Sequence, residues 1–378
     1  MNHRIQTLRS DFSSIGIDAA IIMNFENQFY YSGLKAITYS RPIVLGIDQN
    51  ETHLIIPSLE EEHAKDKTDV DKLYVYHETK LESSRGESYL DYFVQMLAQF
   101  SPNARIGIEY SSCPVILRNI LADKGFTLLN VDSYIAEKRF IKDDVELNLI
   151  KESGRLVSLA LKHSLENAKA GITEIELDQY GNSALFDEVA RTHPNSTLDF
   201  FVMSPSGVKR TNMPHVFSNT RKLENNDIII HSRQVGFNGY RAECERTFFI
   251  GEPTAEQRKV FSVAVEAQLK ALEEIKIGMR ASEVNEIARQ IIADAGYEKY
   301  MKHRTGHGIG IGLHEEPSLR FDNELVLQKG MVFCVEPGIY VPGIGGFRHS
   351  DTVILSDKGT ELITQYPYSI EELIIEKR

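Results

Sequence analysis

Cysteine is scarce in this sequence: three in 378 residues, Cys113, Cys244 and Cys334, odd in number and widely spread. With no Cys-x-x-Cys pair, a zinc knuckle and a disulfide framework are both excluded. Each thiol reads as a small buried hydrophobe. No apolar run approaches the ~20 residues needed to cross a bilayer. The first ten residues, Met-Asn-His-Arg-Ile-Gln-Thr-Leu-Arg-Ser, lack the apolar core of a secretion signal. A cytoplasmic protein without membrane contact is expected. Positive charge is also short: 42 basic against 54 acidic side chains leave a net charge of −12, the wrong sign for a nucleic-acid binder. Familiar catalytic signatures are missing too, with no Gly-x-Ser-x-Gly elbow and no Gly-x-x-x-x-Gly-Lys phosphate loop. His314-Glu315-Glu316-Pro317 lacks the second histidine of a His-Glu-x-x-His zinc helix. The strict alternation of Gly306-His307-Gly308-Ile309-Gly310-Ile311-Gly312 does not match a dinucleotide-binding turn; it suggests a strand whose backbone approaches something closely.

What is present suits a globular protein of two domains: 42% apolar and 25% charged residues, on a chain longer than one core usually supports. Up to about residue 135, short apolar runs (Ala19–Met23, Pro42–Ile47, Thr52–Ile56) alternate with amphipathic stretches such as Tyr89–Gln99, the pattern of an α/β layer. A charged joint at Ala136–Asp144 follows. Then Val145, Leu149, Leu156 and Ala160 recur at helical spacing in a run that Gly171 ends. The boundary is placed here, giving domains 1–135 and 136–378. In the second domain, Asp227–Ile230 and Arg246–Ile250 read as strands flanking a hairpin signal at Gly236–Gly239. Thr254 and Gln257 form a capping box for a helix to about Ile275. Another helix runs from Ser282 to Ala295 and stops at Gly296. The last ~75 residues return to strands with glycine-rich turns.

Polar clusters sit among these strands, where bare polar groups are costly to bury. Glu243 and Glu245 share one face of a strand, and two neighbouring carboxylates repel unless a cation lies between them. A metal, an arginine or a substrate could be that cation; a structural ion pair is the plain alternative. The ordered motifs Asn238-Gly239-Tyr240 … Glu245-Arg246-Thr247-Phe248, Gly306-His307-Gly308-Ile309-Gly310 … His314-Glu315, Val335-Glu336-Pro337-Gly338-Ile339-Tyr340 and Gly345-Gly346-Phe347-Arg348 … Asp351-Thr352 resemble the pita-bread superfamily. It holds Xaa-Pro aminopeptidases, prolidases, methionine aminopeptidases and creatinase. The resemblance implies an α+β chain: a pita-bread catalytic domain behind a smaller α/β N-terminal domain of creatinase/prolidase type.

The resemblance also implies a site. The peptidases of this superfamily hold two metal ions on two Asp, one His and two Glu, which fall here on Ser232, Glu243, His307, Glu336 and Ser350. Two anionic ligands have become hydroxyls, and hard divalent cations depend on carboxylate charge. The dinuclear site therefore reads as dismantled, and a metal-free anionic pocket resembling that of creatinase is expected. Matching positions make His215, Glu245, Glu336, His307 and His314 the catalytic candidates. Glu243, Arg41, Arg320, Arg348, Ser232, Ser350 and His349 are the substrate-binding ones. Each has a plain structural alternative, as a surface residue, a strand-end pair or a neutralising charge. The expected function is metal-independent hydrolysis of a C–N bond in a small zwitterionic amidine or guanidine, creatine- or ectoine-like, by a homodimer without cofactor. Two alternatives stand beside it. One is an Xaa-Pro metallopeptidase with a single Mn or Zn ion on Glu243, His307 and Glu336; the other is a non-catalytic binding module.

Overall fold

The computed structural model describes residues 2–37, 40–79 and 87–376. They form two compact units, Met1–Lys138 and Arg139–Arg378. The first is built on a six-stranded sheet in the order Lys72–Tyr76, Thr52–Pro57, Val44–Asp48, Ala19–Ile22, Arg105–Ile108, Thr127–Asn130. Its central strands are buried on both faces and therefore read as unbroken apolar runs. Phe93 and Met96 of the amphipathic helix Tyr89–Leu97 pack with Ile21, Val44, Ile55 and Ile106 in its core, each such buried side chain stabilising by about 1.5–3 kcal/mol.

The second unit carries a nine-stranded, mainly antiparallel sheet. Its main path runs Glu315–Leu319, Gly306–Gly308, Val332–Val335, Ser350–Ser356, Tyr240–Ile250, Ile228–Phe237, Leu198–Met203. The helices Asp144–Glu166, Glu174–Thr192, Ala255–Glu274 and Ala281–Asp294 supply apolar stripes, with Leu156, Val157, Ala160, Val260, Phe261 and Ala264 buried among Phe248, Phe333 and Val353. The capping box is made: Gln257 N–H donates to Thr254 Oγ1 at 3.1 Å, and Thr254 N–H to Gln257 Oε1 at 2.9 Å. The first long helix stops at Glu166, before Gly171, because the chain must turn for the Thr173 cap of the next helix.

The hairpin signal is correct in place and too short in extent. Asn238 and Gly239 form the turn with φ of 49° and 93°, the positive pair that a two-residue hairpin demands. Yet the strands run ten and eleven residues, Ile228–Phe237 and Tyr240–Ile250. Both continue through polar stretches that break the apolar pattern. The glycines of Gly306-His307-Gly308 are explained by close backbone approach: a Cβ on Gly306 would stand 2.0 Å from the Cys334 carbonyl oxygen. These crowded strands are what bring the polar side chains of the second unit together.

Candidate metal centre

Register fixes which side chains meet. Ser232 and Ser350 both lie opposite Glu245 on the flanking strands, while His307 lies opposite Cys334, which lies opposite Thr352. Directly opposed residues share a face, so Ser232, Glu243, Glu245, Ser350, Cys334 and His307 are brought onto one side of the sheet, where Glu336 joins them just past its strand. One ligand oxygen from each of Glu243, Glu245 and Glu336 lies within a 4.8 Å group.

Arg348 is the cation between the carboxylates. Its Nε donates to Glu245 Oε2 at 2.5 Å and its Nη2 to Glu245 Oε1 at 2.8 Å, a bidentate, charge-assisted pair. The same guanidinium lies 3.8 Å from Glu336 Oε2 and donates from Nη1 to the Tyr340 hydroxyl at 3.3 Å. Tyr340 in turn meets His303 Nε2 at 2.8 Å. Burial, then the charge of Glu243, push the Glu336 carboxyl well above the usual range. Burial also raises Glu245, against the pull of Arg348. Burial works against ionised Glu243 too, but His307, Ser350 and Gln234 outweigh it and hold the carboxyl below its usual range.

His307 is the residue best set to bind something. Its Nδ1 stands 2.9 Å from the carbonyl oxygen of Gly308, so that nitrogen carries the proton and donates. Nε2 faces the carboxylates. Among the described residues it is buried without a hydrogen-bond partner, 3.5 Å from Glu336 Oε1 and 3.8 Å from Glu243 Oε2. An orphaned nitrogen facing two carboxylates fits one divalent ion. The two-ion arrangement does not fit. Ser350 Oγ is spent on Glu243 Oε1 at 2.6 Å, and Ser232 hydrogen-bonds Glu245. Asp351 cannot stand in for Ser350: it pairs with Arg246 at 3.0 Å, both fully buried, and accepts from Gln268 and Tyr368.

Of the other candidates, some gather beside the centre and some do not. His314 stacks on His307 with ring centroids 3.9 Å apart; burial and His307 push it down to about 4. His215, His314, Arg320, Glu336 and Arg348 line one cleft of about 750 Å³, and burial together with Arg348 lowers His215. Arg320 is exposed and tied to Asp322 at 2.5 Å. His349 is not brought to the site: its ring stands edge-on to Phe261 at 4.9 Å, because its neighbours Arg348 and Ser350 take the other face. Arg41 belongs to the first unit and pairs there with Glu78 at 2.8 Å. Glu315 is held by Arg139 and Lys142. Sequence reasoning passed over Cys334, Tyr340, His303 and Arg304. Cys334 was detectable, because it is a strand residue two positions before Glu336, which lies just past the strand's end.

Comparison with known proteins adds a second line. Residues 4–141 match the model of the creatinase/prolidase N-terminal domain, and residues 148–357 that of metallopeptidase family M24. A protein named Xaa-Pro dipeptidase from Pyrococcus horikoshii is 29% identical over 97% of this chain and 97% of its own. The X-Pro aminopeptidase structure from Thermotoga maritima superposes with a TM-score of 0.84, at 27% identity over 98% of this chain and 99% of that one. The prolidase structure from Thermococcus sibiricus gives 0.87, at 27% identity over 99% and 98%. These findings correct the expected metal-independent, creatinase-like hydrolase and the expected absence of a cofactor, since the relatives are named as Xaa-Pro peptidases and the matching model is a metallopeptidase's. The geometry supplies a reason: Glu245, cast as a grip for a substrate cation, already holds Arg348. With that model spanning more than half of its length, the chain belongs to metallopeptidase family M24, within the pita-bread superfamily.

Proposed function

We propose that the chain hydrolyses short peptides in the manner of an Xaa-Pro dipeptidase, with one divalent cation held by Glu243, His307 and Glu336. The observation that carries this reading is the buried, unpartnered Nε2 of His307 aimed at two carboxylates. Charge supports it: the three carboxylates gathered here attract a cation beyond the one that Arg348 supplies. The names of the relatives supply the substrate class, and the cleft is of the size that takes a small ligand.

When bound, the ion supplies polarisation of the scissile carbonyl and acidifies water. The chain's own groups do the rest. His215, lowered by burial and Arg348, enters neutral, takes a proton from the attacking water and hands it to the leaving nitrogen. Arg304 donates to His314 Nδ1 at 3.2 Å, so neutral His314 keeps its proton on Nε2 and offers it to a substrate carbonyl. Arg348 stays fixed on Glu245 and stabilises negative charge developing beside Glu336. A homodimer and a cytoplasmic setting belong to the same reading. The latter is supported by three free cysteines and by the lack, among the described residues, of a helix long and apolar enough to cross a membrane.

The test is to strip the protein with chelator, restore divalent ions singly, and follow Ala-Pro against Ala-Ala while counting bound ions by mass spectrometry. One ion per chain is expected, with Ala-Pro cleavage that chelator abolishes and the ion restores. His215→Ala should keep the ion and lose about 10²–10⁴ in kcat. A protein that retains no ion and cleaves neither dipeptide would overturn the reading.

A further inference from the structure

Cys334 lies inside the centre. It sits directly across from His307 on the adjoining strand and is fully buried. Its Sγ, a Glu243 oxygen and a His307 ring nitrogen all lie within 4.8 Å of one another. Donors bound to one tetrahedral ion at about 2.0–2.3 Å stand roughly 3.3–3.8 Å apart, so small side-chain shifts gather this trio around a single ion. The second, independent observation is His307 itself, whose buried Nε2 has no hydrogen-bond partner among the described residues and faces Glu243 Oε2, a member of the same trio, at 3.8 Å. The thiol hydrogen-bonds to Thr352 Oγ1 at 3.4 Å. That hydroxyl already donates to the Glu243 carbonyl at 2.8 Å, so the thiol is the donor, and its loss of a proton strands no other donor.

We propose that Cys334 is a ligand of the ion, making this a mixed thiolate, imidazole and carboxylate centre selective for Zn²⁺ or Co²⁺ over Mn²⁺ and Mg²⁺. The chemistry is that of donor softness. A thiolate suits zinc-like ions, whereas an all-oxygen set suits hard ones. Binding exchanges the thiol proton for the metal–sulfur bond, one proton leaving to solvent for each ion taken up. The new anion offsets part of the charge lost where Ser232 and Ser350 stand. The inference rests on the one-ion reading above and adds the identity of the ion.

The experiment is titration of the full-length, chelator-treated protein with Co²⁺, followed by absorption spectroscopy and then by displacement with Zn²⁺ or Mn²⁺. Wild type and Cys113→Ser, which alters the half-buried thiol of the first unit, should both develop the near-ultraviolet sulfur-to-cobalt charge-transfer band. Zn²⁺ should remove that band at stoichiometric concentration, and Mn²⁺ should not. Cys334→Ser, nearly isosteric, should lack the band and bind Co²⁺ at least about tenfold more weakly, with its circular dichroism unchanged. One Co²⁺ per chain with no such band, or a band that survives in Cys334→Ser, overturns Cys334 as a ligand and leaves the one-ion reading standing. No binding of any of these ions by wild type overturns both.

Discussion

His349 shows what a single residue is asked to tolerate beside this centre. Both ring nitrogens are buried without a hydrogen-bond partner among the described residues, and its ring rests edge-on against Phe261. A buried polar group left unsatisfied costs about 1–3 kcal/mol, so an apolar side chain of similar reach should do better there. His349→Leu is expected to stabilise the fold by about 1 kcal/mol in urea denaturation at pH 7.5, after some loss of aromatic contact is set against the gain. The gain should grow in acid. Burial keeps His349 far below the ordinary histidine range, so the native ring stays neutral while the unfolded one takes a proton below pH ~6.5. The unfolded state then binds more protons, and wild type loses stability at about 1.4 kcal/mol per pH unit that the variant keeps. A variant less stable than wild type at both pH 7.5 and pH 5.5 would show that the ring is satisfied after all.

At the scale of the element, hidden strands decide what was readable. Several helices announced themselves by period and caps, and three of the first unit's six strands by unbroken apolar runs, whereas the helix Glu174–Thr192 and the strands Lys72–Tyr76, Arg105–Ile108 and Thr127–Asn130 were not read. The long hairpin did not announce itself, because His231–Gln234 and Arg241–Arg246 place charge inside strands buried almost throughout. Other side chains match much of that charge: Arg233 donates to His231 of its own strand at 2.8 Å, and Arg246 pairs with Asp351 of the neighbouring strand. A sequence shows the charge and not its partner. For the same reason Glu243, His307 and Glu336 were recognisable as a group, while the pairing of Glu245 with Arg348, which changes the chemistry assigned to it, was not. Alternation did mark the glycine-rich segment as tightly approached, although only Gly306–Gly308 is strand, and one glycine inside the strand and one beyond it make that testable. A Cβ on Gly308 would stand 2.1 Å from the Glu316 carbonyl oxygen, whereas on Gly312 the nearest atom is the flexible Glu315 side chain at 3.4 Å. Gly308→Ala should cost at least about 1–3 kcal/mol through forced backbone shifts, and Gly312→Ala less than about 0.5 kcal/mol. Equal denaturation midpoints for the two variants would remove close packing as the reason for the motif.

Taken whole, the molecule carries net charge −12 and concentrates part of that excess in one buried place, so the ion should act as a structural clamp as well as a reagent. A ligand that binds only the native state stabilises it by about 2.7 kcal/mol at one hundred times its dissociation constant. The size of that effect should depend on pH, and the sign follows from Glu336. Burial and Glu243 raise its carboxyl, so a proton and the ion compete for it. As pH falls the proton competes better, and apparent affinity should drop by up to about tenfold, or ~1.4 kcal/mol, per pH unit for each proton displaced. Thermal denaturation with and without a fixed excess of Zn²⁺ at pH 7.5, 6.5 and 5.5 measures this directly. The rise in Tm on adding zinc is expected to be largest at pH 7.5 and to shrink at each step down. A rise of the same size at all three values would mean that the ion binds without displacing a proton, which carboxylate-rich surface sites could do and this buried group could not.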